Sequence, residues 1–287
     1  MNFRSLLIIS AVLLSGCPTS AENKQSAEEV PSKTCEVQFL AWNIESGGND
    51  STVIAAQLQA FLEFDIVGLS EVADKNFERY RSALGERFTF VGGQNRYQDH
   101  LQLLFDQQRF ELIRNFELDR YGDIQLNDGN HRSPLAVHLK EKSSDLEFIV
   151  VLNHLARGSD LMRTNQAIAL REWARDQTLP LICIGDFNFD YDFHTKSGNE
   201  AFVAFLRDNI WQWVVPDPLI DTNWSDRDGK DKYPDSMLDF MFVAGPATEW
   251  SLRSEVIVRE GDFPDNDQTS DHRPVSLTLD FQKYPKD

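Results

Sequence analysis

Four short polar segments, each next to an apolar run, carry the side chains of this sequence that are best suited to chemistry. They are Trp42-Asn43-Ile44-Glu45, Ser70-Glu71-Val72, Gly185-Asp186-Phe187-Asn188 and Ser270-Asp271-His272-Arg273-Pro274. The neighbouring runs are typical of buried strands, and strands that end at one rim of a sheet would bring these polar groups together. Oxygen ligands beside an imidazole suit a divalent cation and a phosphate ester. The pattern therefore predicts a metal-assisted site that acts on a phosphate group.

Two further strand positions extend this set. Asp239 lies inside the apolar run Met237 to Val243, where a buried charge requires a partner. His272 is the expected partner, because an Asp–His pair fixes the imidazole tautomer and stabilises the imidazolium. His154 ends another apolar run and is followed closely by Arg157. Taken singly, each segment is also compatible with an ordinary loop or turn, so the prediction depends on their combination.

Apolar spacing divides residues 37 to 279 into helices and strands that alternate irregularly. The predicted helices are Ser51 to Leu62, Phe77 to Leu84, Asp160 to Asp176 and Ala201 to Leu206. The predicted strands are Val37 to Ala41, Asp65 to Leu69, Phe88 to Val91, Leu101 to Phe105, Phe110 to Leu118, Leu135 to Leu139, Glu147 to Leu152, Leu179 to Ile184, Trp211 to Val215, Leu238 to Val243, Val256 to Val258 and Pro274 to Leu279. This mixture predicts an α/β (α+β) sandwich, in which two mixed or antiparallel sheets face each other between layers of helices.

The first residues are typical of an export signal. Arg4 precedes the apolar stretch Leu6 to Leu14, which is too short for a stable membrane span and matches a signal-peptide core. The segment Leu14-Ser15-Gly16-Cys17 resembles the bacterial lipobox, in which cleavage exposes a cysteine that becomes lipidated. We therefore expect a lipoprotein whose Cys17 carries the lipid, anchored to a bacterial membrane and facing the periplasm or the cell surface.

Three segments follow from this interpretation: a signal peptide over residues 1–16, a lipidated cysteine with a flexible tether over 17–34, and one folded domain over 35–287. The domain contains Cys35 and Cys183. If their strands end at the same rim, the two residues differ in height by about 16 Å at the usual rise of a strand. A disulfide cannot cover that distance, and we expect two free, buried thiols.

The composition limits the partners that the domain can bind. The formal net charge is −18, which argues against a protein that grips a polyanion through a broad basic face. It remains compatible with an enzyme that meets phosphate through a metal ion and a few arginines. We expect a monomer that contacts the membrane only through its N-terminal lipid.

Taken in chain order, the segments resemble the motifs of the endonuclease/exonuclease/phosphatase superfamily, which includes deoxyribonuclease-like and exonuclease-III-like enzymes. The matching order is Trp-Asn, Glu, Asn-His-Leu, Gly-Asp-x-Asn, an Asp within an apolar strand, and Ser-Asp-His. It extends from Val37 to Leu279. The resemblance implies a four-layer α/β sandwich and hydrolysis of phosphoesters that depends on Mg²⁺, with Mn²⁺ as a substitute. Water would attack a phosphate held by the metal.

The resemblance also implies a role for each matching residue. Asn43 and Glu71 would hold the metal ion, with Glu71 as the principal carboxylate. Asp271 would lie next to the metal. Asp186 and Asn188 would orient the attacking water and the phosphate.

The remaining residues would act on the phosphate and on protons. His154 matches the second histidine of the superfamily, which contacts the scissile phosphate. Arg132 lies in a segment that resembles the Arg-x-Pro phosphate site, and Arg157 follows His154 in a stretch that looks most like the His-Leu-Lys-Ser-Gly stretch of secreted bacterial members. Either Asp186 or His272 would take the proton of the water, and the sequence leaves this choice open.

Three functions are compatible with these residues. The first is a phosphodiesterase or nuclease that acts on nucleic acid or another phosphoester. The second is a phosphomonoesterase or a phospholipase-C-like enzyme that acts on inositol phosphates or sphingolipid headgroups. Phe189-Asp190 stands where the inositol-phosphatase branch usually has an aromatic residue and an arginine, which argues against that branch. The third is a surface lipoprotein that keeps the fold without catalysis.

Overall fold

The computed structural model describes residues 36–44, 49–94, 99–224 and 235–281; the predicted signal peptide, Cys17, the tether and Cys35 lie outside them. The strands are β1 (Glu36–Asn43), β2 (Ile66–Val72), β3 (Phe88–Gly92), β4 (His100–Asp106), β5 (Phe110–Glu117), β6 (Arg120–Tyr121), β7 (Ile124–Gln125), β8 (Leu135–Glu141), β9 (Glu147–His154), β10 (Leu181–Tyr191), β11 (Trp211–Trp213), β12 (Met237–Ala244), β13 (Ser251–Val256) and β14 (Val275–Asp280). The α-helices are α1 (Ser51–Leu58), α2 (Phe77–Leu84), α3 (Asp160–Arg175) and α4 (Glu200–Leu206). Short 3₁₀ helices cover Gln59–Phe61, Asp74–Asn76, Arg207–Asn209 and Gly245–Glu249.

Two six-stranded sheets form the centre of the described chain. The strand order is β13-β14-β1-β2-β4-β3 in the first sheet and β11-β12-β10-β9-β8-β5 in the second, and β6 and β7 form a separate hairpin. Each sheet has one parallel pair at its middle, β1 with β2 and β9 with β10, and antiparallel pairs on both sides of it. Both sheets are therefore mixed, as the sequence predicted.

The inner faces of the two sheets pack against each other. Because side chains alternate along a strand, Phe39 of β1 points inward and belongs to the same buried cluster as Phe148 of β9 and Ile184 of β10. The approach is close at Gly68, where an added Cβ would lie 2.7 Å from Cδ1 of Leu152. A glycine at this position lets β2 contact the second sheet directly.

Helices cover the outer faces of both sheets. Leu40 of β1 shares a buried cluster with Ile54 of α1 and Tyr80 of α2. On the other side, Phe187 of β10 packs in a cluster with Leu170 of α3. The order of layers is helix, sheet, sheet, helix, which confirms the predicted four-layer sandwich.

Several element boundaries differ from the sequence prediction. The strand predicted to end at Ile184 continues to Tyr191, so the Gly-Asp-x-Asn segment lies inside β10 rather than after it. The strand predicted over Val256 to Val258 is wrong, because β13 covers Ser251–Val256 and Val258 is 56% exposed. β13 has only two apolar residues, so its pairing with β14 sets its position.

Two smaller findings concern the described residues directly. Cys183 is a free, buried thiol, in agreement with the prediction for that residue. No helix in the described part of the chain has the length and apolar content needed to cross a membrane.

Candidate active site

The ends of β1 and β2 place Asn43 and Glu71 side by side. The two strands are parallel, and Asn43 pairs in register with Ser70, the residue before Glu71. The Asn43 Nδ2 donates to Oε1 of Glu71 at 3.1 Å and to Oδ2 of Asp186 at 3.0 Å. Asn43 thus connects the carboxylates of two different sheets.

In the second sheet, β9 and β10 bring His154 next to Asp186. These strands are parallel, with Asp186 opposite His154 and Gly185 opposite Asn153. Gly185 has φ +122°, and an added Cβ would collide with the carbonyl oxygen of Asn153. The His154 Nε2 lies 3.5 Å from Asp186 Oδ2 and 3.7 Å from Glu71 Oε1. The glycine therefore permits the close pairing that sets these distances.

β12 and the loop before β14 supply the predicted Asp–His pair. Asp239 lies opposite Asp186 in the antiparallel register of β12 and β10, and its Oδ2 is 2.7 Å from Nδ1 of His272. The other ring nitrogen of His272, Nε2, lies 4.0 Å from Asp186 Oδ2 and 3.9 Å from Asp271 Oδ1. Asp239 consequently fixes which nitrogen of His272 faces the site.

Hydrogen bonds from the first sheet hold the His272 loop in place. The indole Nε1 of Trp42 donates to the carbonyl oxygen of His272 at 2.9 Å. The Ser270 hydroxyl donates to the carbonyl oxygen of Asn43 at 2.6 Å and accepts from the backbone N–H of His272 at 2.9 Å. The Trp-Asn and Ser-Asp-His segments, more than 200 residues apart in sequence, thus form one structural unit.

The buried groups of the site have strongly shifted pKa values. Burial opposes the cationic form of His272, but the neighbouring Asp239 carboxylate overcomes this and raises the pKa of His272 well above its ordinary value. Burial, together with the positive charges of Arg132 and His272, lowers the pKa of His154 well below its ordinary value. Burial and the charge of Asp239 raise the pKa of Asp186 to about 7. The site thus combines one cationic and one neutral imidazole with a carboxyl group that titrates near neutrality.

Asn188 lies next to Asp186 at the edge of this centre. The Asn188 Nδ2 donates to the carbonyl oxygen of Leu155 at 2.9 Å, which holds the loop after β9. Asn188 has a positive φ of 53°, and its backbone N–H donates to Oδ1 of Asp186 at 2.9 Å. In the structure, Asn188 therefore holds Asp186 and the loop after β9 in place. Its predicted contact with water and phosphate remains a prediction.

Both candidate arginines are paired with carboxylates. Arg132 forms an ion pair with Asp99, and burial lowers its pKa. Arg157 Nη1 lies 2.6 Å from Oδ1 of Asp190, at the edge of the site beyond His154. Arg132 therefore lies close to the central residues, whereas Arg157 belongs to the neighbouring surface.

The sequence prediction missed Asp99. Its carboxylate offers an oxygen within 4.8 Å of Glu71 and His154, and Oδ1 is buried without a hydrogen-bond partner among the described residues. A signal was present, because Asp99-His100 directly precedes an apolar strand, as Asp271-His272 does. β4 is antiparallel to β2, so the start of β4 and the end of β2 lie at the same edge.

The donor groups fit a hard divalent cation. Asn43, Glu71 and Asp271, the three predicted ligands, offer amide and carboxylate oxygens, which Mg²⁺ and Mn²⁺ prefer. Oδ1 of Asp271 is buried, and no described residue donates a hydrogen bond to it. A buried carboxylate oxygen in this state can be satisfied by a cation. The described acidic and histidine side chains that lie close enough to share one ion are Glu71 with Asp99 and His154, and Asp186 with Asp239 and His272. Coordination of one ion by Asn43, Glu71 and Asp271 together therefore stays a prediction.

Comparisons with known proteins give the same architecture, although no family model matches the chain. The chain is 22% identical to deoxyribonuclease-1 of Bos taurus over 273 residues, which cover 85% of this chain and 92% of that protein. A solved endonuclease/exonuclease/phosphatase family protein from Bacteroides thetaiotaomicron is 20% identical with a TM-score of 0.62, over 85% of this chain and 97% of that one. A mannosyl-6-phosphatase of the same organism is 20% identical with a TM-score of 0.61, over 85% and 99% of the two chains.

The described residues thus define an α/β sandwich of two mixed sheets, with acidic, amide and imidazole groups gathered at one edge. This is the fold of the endonuclease/exonuclease/phosphatase superfamily, and the resemblance expected from the order of the motifs is confirmed.

Proposed function

We propose that the protein is a divalent-metal-dependent phosphoester hydrolase that prefers phosphodiesters. One observation carries this proposal: Asp186 Oδ2 lies 3.5 Å from Nε2 of His154 and 4.0 Å from Nε2 of His272. Two buried imidazoles of different charge around one carboxylate suit a reaction in which protons move while negative charge develops on phosphate oxygens.

The pKa shifts support separate roles for these groups. Asp186, whose pKa is raised to about 7, would take a proton from the attacking water, because a general base works best with a pKa near the operating pH. His272, kept cationic by Asp239, would neutralise charge on the phosphate and return a proton to the leaving oxygen. The water oxygen then forms a bond to phosphorus as the ester P–O bond breaks.

Asn43, Glu71 and Asp271 would hold Mg²⁺ or Mn²⁺. When bound, the cation would withdraw negative charge from the phosphate oxygens, which lowers the barrier to attack. Neutral His154, between Glu71 and Asp186, would donate a hydrogen bond to the phosphate. Its role requires no positive charge, in agreement with its lowered pKa.

Similarity to deoxyribonuclease-1 supports a phosphodiester substrate. A phosphomonoester is the second candidate, supported by the similarity to a mannosyl-6-phosphatase and by the charges around the site. Arg132 and Arg157 are each paired with a carboxylate, and the whole chain carries a net charge of −18. These features weaken the attraction of a long polyanion.

A panel of substrates tests the proposal. Initial rates in Mg²⁺ would be measured on bis-p-nitrophenyl phosphate, p-nitrophenyl phosphate and plasmid DNA, for the wild type and for His154→Ala prepared identically. We expect the diester to be hydrolysed faster than the monoester, and the variant to be slower by at least about 100-fold, which excludes a contaminating nuclease. A preference for the monoester would establish the second candidate, and inactivity on all three substrates would refute hydrolysis.

A further inference from the structure

The loop between β13 and β14 carries His272 near its end and a buried ion pair near its start. Arg259 and Asp262 lie in this loop, and their side chains are only 17% and 8% exposed. The backbone N–H of Arg259 donates to Oδ2 of Asp262 at 2.7 Å, and the guanidinium Nε donates to Oδ1 at 2.9 Å. Neither residue holds the metal or moves a proton in the proposed reaction.

The charge of Arg259 lies against the ring of Trp42. The guanidinium carbon is 4.6 Å from the centre of the Trp42 ring and 5.4 Å from that of Phe61. A cation over an aromatic face is attracted to the negative charge of the π-system. Phe61 meets Trp42 edge to face, with ring centres 6.2 Å apart at an angle of 76°. Arg259 and Phe61 together thus fix the plane of the Trp42 indole.

The plane of this indole decides where its single hydrogen-bond donor points. Trp42 is 1% exposed, and its Nε1 donates to the carbonyl oxygen of His272 at 2.9 Å. A hydrogen bond weakens steeply as its angle departs from linear, so tilting the ring would release the backbone of His272. The Nε2 atom of His272 would then move relative to Asp186, whose Oδ2 is 4.0 Å away.

Asp262 holds Arg259 and also reaches the residue that follows His272. Burial lowers the pKa of Arg259, and the charge of Asp262 opposes this effect, so the carboxylate stabilises a cation at a costly position. The Oδ2 of Asp262 lies 3.8 Å from Nε of Arg273. Arg273 is fixed in turn by its backbone N–H, which donates to the carbonyl oxygen of Thr222 at 2.7 Å. One buried carboxylate thus contacts two arginines that support the His272 segment.

We propose that Arg259 is a positioning residue of the active site, which keeps the Trp42 indole directed at the backbone of His272. Asp262 holds Arg259 in place for this task. The proposal rests on the proposed function, in which His272 neutralises charge on the phosphate and returns a proton to the leaving oxygen. Both tasks belong to the transition state, so a misplaced His272 should lower kcat and leave KM nearly unchanged.

Replacing Arg259 by methionine tests this proposal, because methionine keeps an apolar stem but removes the cation. On the preferred substrate of the panel above, Arg259→Met should lower kcat by at least about tenfold, since small misplacements of a catalytic group cost that much. KM should stay within about twofold of the wild-type value.

Arg87→Met is the matched control for this variant. Arg87 also pairs with a buried aspartate, Asp106, and its guanidinium carbon also lies 4.6 Å from the centre of an aromatic ring, that of Phe88. Asp106 is the last residue of β4, whereas the start of β4 lies at the site. The control therefore loses a similar ion pair and ring contact at the opposite edge of the sheet, and should keep the wild-type kcat.

A double-mutant cycle shows whether Arg259 acts through Trp42. Trp42→Phe keeps an aromatic ring but removes the N–H donor, and should lower kcat at least as much as Arg259→Met does. In the Trp42→Phe background, Arg259→Met should lower kcat by less than about twofold, because the hydrogen bond that Arg259 supports is already absent. Equal losses in both backgrounds would show that Arg259 acts independently of Trp42, and would overturn the proposal.

Hydrogen exchange gives a measurement that needs no turnover. The Nε1–H of Trp42 can be assigned in NMR spectra by its loss in Trp42→Phe. At urea concentrations that give equal global stability, this proton should exchange with solvent about tenfold faster in Arg259→Met than in Arg87→Met. If no phosphoester is hydrolysed, the proposed function fails and this exchange rate alone decides the role of Arg259. Equal exchange rates in the two variants, or a wild-type kcat in Arg259→Met, would overturn the proposal.

Discussion

Asp186 Oδ2 accepts a hydrogen bond from Asn43 and lies within 4.0 Å of the Nε2 atoms of both His154 and His272. A carboxylate that is only 2% exposed loses most of its hydration, and these neighbours replace part of it. The neighbours do not replace all of the lost hydration, because burial and the charge of Asp239 still raise the pKa of Asp186 to about 7. At the scale of single residues, this imbalance is the reason we propose Asp186 as the group that accepts the proton of the attacking water.

Replacing Asp186 by asparagine tests this assignment. Asp186→Asn keeps the size of the side chain but removes its ability to accept a proton, so kcat should fall by about 10²- to 10⁴-fold. The melting temperature should stay the same or rise, because the buried charge is removed. Steady-state kinetics and thermal unfolding would measure both effects. Asp123→Asn, in the exposed turn between β6 and β7, is the control. Activity within about tenfold of the wild type would rule out Asp186 as the base.

The Asp239–His272 pair leads to a prediction about pH. The Asp239 carboxylate raises the pKa of His272, so Asp239→Asn should lower that pKa. If cationic His272 is the active form, kcat/KM declines as pH rises through this pKa. The decline should therefore begin at a lower pH in Asp239→Asn than in the wild type. A pH profile of kcat/KM checks this, and an alkaline limb at an unchanged pH would show that Asp239 acts on something other than the charge of His272.

Most of the central residues could be predicted from sequence because their chemistry conflicts with their surroundings. Asp239 in an apolar strand and Glu71 after one are costly to bury alone, and this conflict is visible without a structure. Asp99 was missed although it precedes an apolar strand as Asp271 does, because only the antiparallel pairing of β4 with β2 brings it to the site. The pairing of Arg132 with Asp99 could not be predicted either, because it also depends on where the pairing of β4 with β2 places Asp99.

At the scale of elements, β10 is the strand that joins the parts of the site. It carries Asp186 and Asn188 between β9 and β12, and its register with β12 shifts between Asp186 and Tyr191. Asn188 and Asp190 have positive φ angles in this stretch, which costs free energy for residues with a side chain. The strain occurs in the stretch after Asp186, where β10 leaves its regular ladder with β12.

Gly185 provides the test at this scale. Gly185→Ala should lower the free energy of unfolding by about 2–5 kcal/mol, because it adds an unfavourable positive φ and a clash with the Asn153 carbonyl. Gly129→Ala is the matched control, since Gly129 also has a positive φ of 92° but an added Cβ contacts nothing within 4 Å; its cost should be about 1–2 kcal/mol. Urea denaturation measures both. Equal losses of unfolding free energy in the two variants would show that the close pairing of β9 with β10 is unimportant for stability.

Sequence patterns located the elements but not all their ends. The helix predicted from Asp160 does begin there, and the Ser159 hydroxyl caps it by accepting from the backbone N–H of Met162. The helix α2 has the predicted bounds, Phe77 to Leu84. β13 was misplaced because an edge strand with few apolar residues has no strong pattern, and the pairing partner β14 decides its register. Local signals fix helix ends, whereas long-range pairing fixes strand ends.

At the scale of the whole molecule, the site depends on the contact between the two sheets. β1 and β2 contribute Asn43 and Glu71, while β9 and β10 contribute His154 and Asp186, and both parallel pairs end at the same edge. Neither sheet alone holds the full set of groups. Because the chain is acidic, with a net charge of −18, the proposed divalent cation would be important for attracting a phosphate to this edge.

The most direct test of the account is the metal dependence of phosphodiester hydrolysis. Initial rates on bis-p-nitrophenyl phosphate would be measured after treatment with EDTA and after excess Mg²⁺ is restored, for the wild type and for Glu71→Gln. We predict that EDTA abolishes hydrolysis, that Mg²⁺ restores it, and that Glu71→Gln needs at least about tenfold more Mg²⁺ because a charged ligand is lost. Hydrolysis that persists unchanged in EDTA, or that has the same Mg²⁺ requirement in both proteins, would contradict the account.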